Sequence, residues 1–140
     1  MAETLVDIRL PCSPESVTRA RQAVADAMEG DGRSGLVDDV ILVVSELVAN
    51  AVSYTTGECG LKVGTIDQRI LVEVDDCDDV NPARRAETDR VPGHGLGVVQ
   101  DIADRWGIDR LDDGKCVWAE ISDPATRPNA DQQAISADSA

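Results

Sequence analysis

Residues 35–54 read GLVDDVILVVSELVANAVSY, and this stretch has the strongest periodic pattern in the chain. Its apolar residues recur at spacings of three and four, which predicts one long amphipathic helix with a wide aliphatic face. The residues on that face are Val37, Val40, Ile41, Val44, Leu47, Val48, Ala51 and Val52. The rest of the chain must therefore supply an apolar surface on which this helix packs.

The segments around this helix predict the order β-α-α-β-β-loop-α-β-β. Alternating apolar residues indicate the strands, and glycine or Asp-Gln and Asp-Gly turns separate them. The predicted strands are residues 4–10, 61–66, 69–74, 106–111 and 115–121, and the other helices are residues 14–29 and a helix that begins after the glycines at 93–97. This order favours an α+β fold, a two-layer sandwich with the helices on one face of a single sheet.

The start of the first helix carries a capping signal. Ser13 is a suitable N-cap, Pro14 suits the first helical position, and Glu15 lies near the positive end of the helix. We therefore expect Ser13 to cap this helix.

Length and composition set limits on domain number and function. The 140 residues predict one domain, residues 1–122, and a disordered tail, residues 123–140, that is rich in Ser, Ala, Asp, Gln and Pro. The formal net charge of -14 argues against direct nucleic-acid binding and against binding to an anionic membrane. No apolar run reaches the length of a membrane span, and the N-terminus lacks the pattern of a signal peptide. The four cysteines lack the spacing of a zinc or disulfide framework, so we expect reduced thiols in a cytoplasmic protein.

Glu46 and Asn50 are the first candidates for chemistry. They are four residues apart on the long helix and therefore lie on successive turns. A carboxylate and an amide supply the hard oxygen atoms that suit Mg²⁺, and a carboxylate can also deprotonate a nucleophile at phosphorus. Such pairs are common on solvated helix faces, so this pair alone does not establish a site.

Two further segments have the chemistry of a nucleotide site. Asp75 and Asp76 end a predicted strand just before a long polar loop, where a carboxylate can accept the exocyclic amine of adenine. The sequence Gly93-His94-Gly95-Leu96-Gly97 opens a helix, and glycines allow backbone N–H groups to approach an anion. Its spacing is not that of a dinucleotide-binding fold, and the chain has no P-loop motif. Each segment alone is more commonly a charged or glycine-rich loop, but together they provide the parts that a nucleotide requires.

The combined order and spacing resembles the GHKL, or Bergerat, ATP-binding fold of histidine kinases, Hsp90-type chaperones and gyrase. It is most similar to the small anti-sigma factors and serine kinases of actinobacteria, of the RsbW and SpoIIAB type. The resemblance extends from about Ile8 to Ile121, and it implies a mixed, mostly antiparallel sheet. The matching segments are residues 45–52 for the N box, 72–76 for the G1 strand, 93–97 for the G2 glycines and 106–118 for the closing hairpin.

The resemblance implies a role for each matching residue. Glu46 would be the general base, and Asn50 would bind Mg²⁺ and with it the nucleotide. Asp76 would accept the adenine amine, since the family's aspartate follows the strand by one residue more than Asp75 does. The end of the loop that covers ATP or ADP would be Gly93, Gly95, Leu96 and Gly97. The chain departs from the family at Asp78, which replaces a glycine, and this weakens the expected packing around adenine.

These roles imply a cytoplasmic regulator that binds ATP and Mg²⁺. It would sequester a sigma factor and phosphorylate a serine or threonine of a STAS-type anti-anti-sigma factor, with partner contacts near Arg19 and Arg21. The resemblance also allows a homodimer. His94 is the only histidine and lies in the glycine turn, which argues against a sensor histidine kinase. The alternative is a non-catalytic nucleotide-binding module that acts by sequestration alone; Asp78 favours it, whereas the presence of Glu46 and Asn50 favours the kinase. A domain that has lost its ligand altogether is a third, weaker alternative.

Overall fold

The computed structural model describes residues 2–54, 57–76, 96–111 and 114–126. The order of helices and strands in these ranges confirms the predicted order. The elements are β1 (Glu3–Pro11), α1 (Glu15–Ala27), α2 (Ser34–Tyr54), β2 (Glu58–Ile66), β3 (Arg69–Asp76), α3 (Leu96–Ile102), β4 (Arg105–Leu111) and β5 (Gly114–Ile121).

The five strands form one open sheet in the order β1-β2-β3-β5-β4. All the strand pairs in the described ranges are antiparallel, so the expectation of a mixed sheet is wrong. The reason is the position of β5. It lies between β3 and β4, which run in the same direction and would form a parallel pair if they were neighbours.

The helices pack on one face of this sheet, which confirms the predicted two-layer α+β sandwich. Along β3, burial alternates so that Ile70, Val72, Val74 and Asp76 face inward. The aliphatic face of α2 covers them, with Val40, Val44, Leu47 and Val48 among its buried residues. Burial of each large aliphatic side chain contributes about 1.5–3 kcal/mol. This contact is therefore the main apolar interface of the domain.

The Asp67-Gln68 turn and the cysteines agree with the sequence analysis. Asp67 and Gln68 have φ values of 49° and 70°, the left-handed conformation of a two-residue hairpin turn between β2 and β3. Cys12, Cys59 and Cys116 are free thiols, and Cys77 lies outside the described residues. Burial beside Cys12 raises the pKa of the Cys59 thiol to about 12. The Cys59 thiol therefore remains protonated and weakly reactive in the folded protein.

The start of α1 differs from the prediction. The N-cap is Pro14, and no side chain caps the helix. The Ser13 hydroxyl instead donates a hydrogen bond to the Glu15 carboxylate. The pKa of that carboxyl is lowered mainly by the backbone N–H of Glu15 and to a smaller extent by Ser13. The buried Ser16 hydroxyl donates to the carbonyl of Pro11, so the helix start is held against the end of β1. The expectation that Ser13 is the N-cap is therefore wrong.

The end of the described chain lies beyond the proposed domain boundary. Pro124–Thr126 form a 3-10 turn, although the composition assigned these residues to a disordered tail. Pro124 packs so closely on α2 that a Cβ added to Gly35 would lie 3.0 Å from its Cγ. Residues 127–140 lie outside the described part, so the division at residue 122 stays a prediction. None of the described helices is both long and apolar enough to cross a membrane.

Two leucines of α2 provide a test of this packing. Leu47 is 2% exposed and Leu42 is 43% exposed. Leu47→Ala should lower the free energy of unfolding by about 2–5 kcal/mol, because it leaves a cavity under the helix. Leu42→Ala should change it by less than about 0.5 kcal/mol, since its side chain is in contact with solvent. Urea denaturation followed by circular dichroism measures both values, and equal losses would contradict the orientation of α2.

Candidate functional site

Glu46 and Asn50 lie on successive turns of α2, near its carboxyl end. Residues four apart on a helix are rotated by only about 40°, so the two side chains leave the same side of α2. Asn50 is buried, at 8% exposed, on a helix whose inner face is aliphatic, whereas Glu46 is half-buried. A buried amide is costly unless it has a polar partner. Asn50 is therefore a notable exception to the packing pattern of α2.

Asp76 is the last residue of β3 and faces inward. It is 5% exposed, and its Oδ1 accepts the backbone N–H of Lys115 on β5 at 3.2 Å. A Cβ added to Gly114 would overlap the carbonyl oxygen of Asp76 and would lie 2.7 Å from Oδ1. Only glycine fits at that position, and the start of β5 therefore holds the Asp76 carboxylate in place.

Asp75 occupies the other face of the sheet, because successive residues of a strand point to opposite sides. Its Oδ1 lies 3.1 Å from Nη1 of Arg9, which donates to it across the outer face of the sheet. The two adjacent aspartates are therefore separated by the sheet itself. Of the two, Asp76 shares the inner face with α2.

The topology brings two of the predicted residues to one end of the sandwich. The end of α2 leads directly into β2, whose Cys59 pairs with Asp76 at the end of β3. Asn50 and Asp76 thus lie toward the same end of the domain. Leu96 and Gly97 form the start of α3, and the Asp104 N–H beyond the end of that helix donates to the Glu120 carbonyl on β5. Four residues of the predicted site and its loops lie outside the described residues: Asp78, Gly93, His94 and Gly95.

A groove between α1 and α2 was not anticipated from the sequence. It has a volume of about 430 Å³, and its lining residues are Arg21, Asp38, Ile41, Leu42, Ser45 and Glu46. Arg21 and its neighbour Arg19 are exposed, as the prediction of a partner surface on the first helix requires. The exposed Leu42 on the polar side of α2 is the sequence feature that could have indicated the groove.

Lys115 is the residue near this site that sequence reasoning missed. It was read only as part of the closing hairpin, yet it is 5% exposed and faces the helix layer. It is the Cα partner of Asp76 in the β3–β5 pair. The alternation of Val117, Ala119 and Ile121 along β5 is the signal that could have indicated it, although a lysine on a strand normally faces solvent.

The donor set is compatible with a magnesium ion that is held mainly by a nucleotide. Among the described residues no group of three or more histidine, cysteine or acidic side chains is arranged to bind a metal. Mg²⁺ usually keeps several waters and takes one or two protein oxygens together with substrate phosphates. The Asn50 amide oxygen can supply one such ligand.

Comparison with known proteins identifies the family. Residues 10–121 match the family model of the histidine kinase-like ATPase domain. The chain belongs to this family. This confirms the predicted superfamily, whereas the closer resemblance to small anti-sigma factors stays a prediction.

Among solved structures, this histidine kinase-like ATPase domain is similar to the Acinetobacter baumannii histidine kinase AdeS. The sequence identity is 14% and the TM-score is 0.48, and the alignment covers 86% of this chain and 68% of that chain. A search of curated proteins found no match.

The contact between Gly114 and Asp76 leads to a test of the site's rigidity. Gly114→Ala should lower the free energy of unfolding by about 1–3 kcal/mol, because the methyl group forces β5 away from Asp76. Gly97→Ala is the control, since no atom lies within 4 Å of its added Cβ, and alanine is favoured in a helix by about 1 kcal/mol. Thermal unfolding compares the variants. A Gly114 variant as stable as the wild type would refute the close approach.

Proposed function

We propose that this domain is an ATP-dependent anti-sigma factor and serine/threonine kinase. It sequesters a sigma factor and phosphorylates a STAS-type anti-anti-sigma factor. The observation that supports this most directly is the pair of buried polar side chains, Asn50 and Asp76, at one end of an otherwise aliphatic interface. In a member of the histidine kinase-like ATPase family, Asn50 would lie at the phosphate end of a bound nucleotide and Asp76 at its adenine end.

The residues present fit ATP and Mg²⁺. Asn50 would hold Mg²⁺ through its amide oxygen, and Asp76 would accept the exocyclic amine of adenine. The bound ion would neutralise charge on the phosphate oxygens. Leu96 and Gly97 begin α3, and with the glycine segment they would meet the phosphates.

Glu46 is suited to act on a hydroxyl that a partner brings to the groove. Its carboxylate is half-buried and lines the groove between α1 and α2. There it would take the proton of an attacking serine or threonine hydroxyl and hold that oxygen in position. Asn50, one turn further along α2, would hold the nucleotide on the other side of the reacting atoms.

The groove has features that suit a protein partner. The exposed Leu42 offers an apolar contact, and Arg21 offers a cation on a protein whose net charge is -14. A segment of the anti-anti-sigma factor with an acidic residue near its serine or threonine would complement Arg21.

The second candidate is a non-catalytic module that binds nucleotide and regulates by sequestration alone. Asp78, in place of the glycine expected in the resemblance, favours it, because a larger residue disturbs the packing around the base. The two candidates share Asn50 and Asp76 and differ only in whether Glu46 acts on a partner hydroxyl.

Nucleotide binding can be tested with two substitutions that act on different parts of the ligand. Asn50→Ala should weaken binding of ATP only when Mg²⁺ is present, because it removes a metal ligand. Asp76→Asn should weaken ATP and ADP alike, by about 1–3 kcal/mol, since a buried charged hydrogen bond is lost. Asp75→Asn is the matched control on the outer face and should leave both affinities unchanged. Calorimetry with each nucleotide, with and without Mg²⁺, measures these effects; equal losses for all ligands from both variants would contradict the roles.

Phosphoryl transfer can be tested with a substitution in the groove. Radiolabelled ATP is incubated with the protein and a panel of STAS-type anti-anti-sigma proteins. Glu46→Gln should reduce transfer by roughly 100- to 10,000-fold while ATP still binds, because the general base is removed. Asp38→Asn, which removes another carboxylate from the groove, should leave the rate within a few-fold of the wild type. Binding of a partner without any transfer by the wild type would favour the sequestration module.

A further inference from the structure

Lys115 differs sharply from the other lysine of the chain. The chain has two lysines, Lys62 and Lys115. Lys62 is exposed on β2, whereas Lys115 is 5% exposed on β5. Across the ranges that the structure describes, Lys115 is the one cationic side chain that is buried.

The burial of this ammonium group needs an explanation. A buried positive charge is strongly unfavourable unless hydrogen-bond acceptors surround it. A side chain as long as lysine normally extends far enough to place its ammonium group in solvent. The alternation along β5 places Lys115 on the inner face with Val117, Ala119 and Ile121. Its direct neighbour on that face is Asp76, the Cα partner on β3.

This juxtaposition creates a donor beside an acceptor. Side chains of directly opposed residues in an antiparallel pair have Cβ atoms about 4.5–5.5 Å apart. The carboxylate of Asp76 accepts hydrogen bonds, and the ammonium of Lys115 donates up to three. One backbone N–H already holds Oδ1 of Asp76, so the orientation of the acceptor is fixed.

The spacing of this pair suits the edge of an adenine ring. Adenine presents an amine donor at C6, flanked on each side by a ring nitrogen that accepts, N1 on one side and N7 beyond the ring junction on the other. The same edge of adenine therefore offers a donor next to an acceptor. The amine complements the acceptor Asp76, and the ring nitrogen complements the donor Lys115.

We propose that Lys115 is a specificity-determining residue of the base site, and that it donates to a ring nitrogen of adenine beside the amine that Asp76 accepts. This inference rests on the proposed nucleotide-binding function and extends it to the base. Lys115 then has two roles: it balances the buried charge of Asp76, and it selects bases with an acceptor nitrogen next to the amine.

The test combines a variant of the protein with altered bases. Calorimetry measures the affinity of ADP, 1-deaza-ADP and 7-deaza-ADP for the wild type, for Lys115→Met and for the control Lys62→Met. Methionine keeps the length and apolar volume of the lysine stem but cannot donate. Lys115→Met should bind ADP about ten- to a hundredfold more weakly, as expected for loss of a charged hydrogen bond, and Lys62→Met should bind it as the wild type does.

The altered bases separate recognition from a structural role. The wild type should lose a similar factor with one of the two deaza nucleotides, and Lys115→Met should bind that analogue and ADP equally. Loss with 1-deaza-ADP assigns the contact to N1, and loss with 7-deaza-ADP assigns it to N7. If Lys115 served only to hold Asp76, its removal would weaken all three ligands by the same factor, which overturns the proposal.

Two outcomes distinguish failure of this inference from failure of the proposed function. Unchanged ADP affinity in Lys115→Met, in a wild type that binds ADP, overturns the role of Lys115 alone. A wild type that binds no adenine nucleotide overturns both. If Lys115→Met does not unfold cooperatively, the wild type with the two deaza nucleotides decides the matter, because equal binding of all three ligands refutes a contact to either nitrogen.

Discussion

The packing of α2 across the inner face of the sheet is the contact on which the rest of this domain depends. It joins the two layers, and its aliphatic side chains form most of the core. Polar atoms are energetically costly in this aliphatic interface, because each one loses its contact with water on burial. Besides Ser16, which holds the start of α1, the buried polar residues in the described chain are Asn50, Asp76 and Lys115. All three lie at the end of the sandwich where α2 and β3 terminate. Polar side chains at that end can therefore hold a ligand.

The pleat of β3 decides which aspartate belongs to this end. A shift of one residue in strand register would exchange the faces of Asp75 and Asp76. That shift is opposed on both sides of the sheet. The Gly114 contact and the Lys115 N–H fix Asp76 on the inner face, while Arg9 pairs with Asp75 on the outer face. The exposed ion pair between Arg9 and Asp75 contributes little to stability. The register is therefore determined mainly by the contacts on the inner face and by the alternation of apolar residues.

Much of the fold was predictable because its signals are local. The helical period of α2 and the Asp67-Gln68 turn each depend on a few neighbouring residues, and both predictions are confirmed. The antiparallel character of the whole sheet was missed, because the insertion of β5 between β3 and β4 depends on contacts between distant segments. The N-cap was also missed, since Ser16 bonds to β1, a tertiary contact, while Ser13 has the better local sequence signal.

The candidate site shows the same division between local and distant information. Glu46 and Asn50 were found from their spacing on one helix, and Asp76 from its place at the end of a strand. The position of Lys115 beside Asp76 could not be found in this way, because it results from pairing with a strand 39 residues earlier in the chain. The groove at Glu46 was equally invisible, since it requires the packing of α1 against α2.

The distribution of charge limits how a polyphosphate could be attracted to this protein. With a net charge of -14, the long-range field opposes the approach of an anion. Several surface cations are also neutralised by neighbours: Arg9 lies near Glu58 and Asp75, Arg33 near Asp31, and Arg69 and Arg105 near Glu120. Attraction must therefore come from short-range groups inside the site, where screening by salt is weak. A divalent ion on the phosphates and the proposed contact of the Lys115 ammonium with the base would be groups of that kind. Nucleotide binding by this domain should accordingly depend strongly on Mg²⁺, and added salt should not weaken it in the way that salt weakens the binding of an anion to a basic surface.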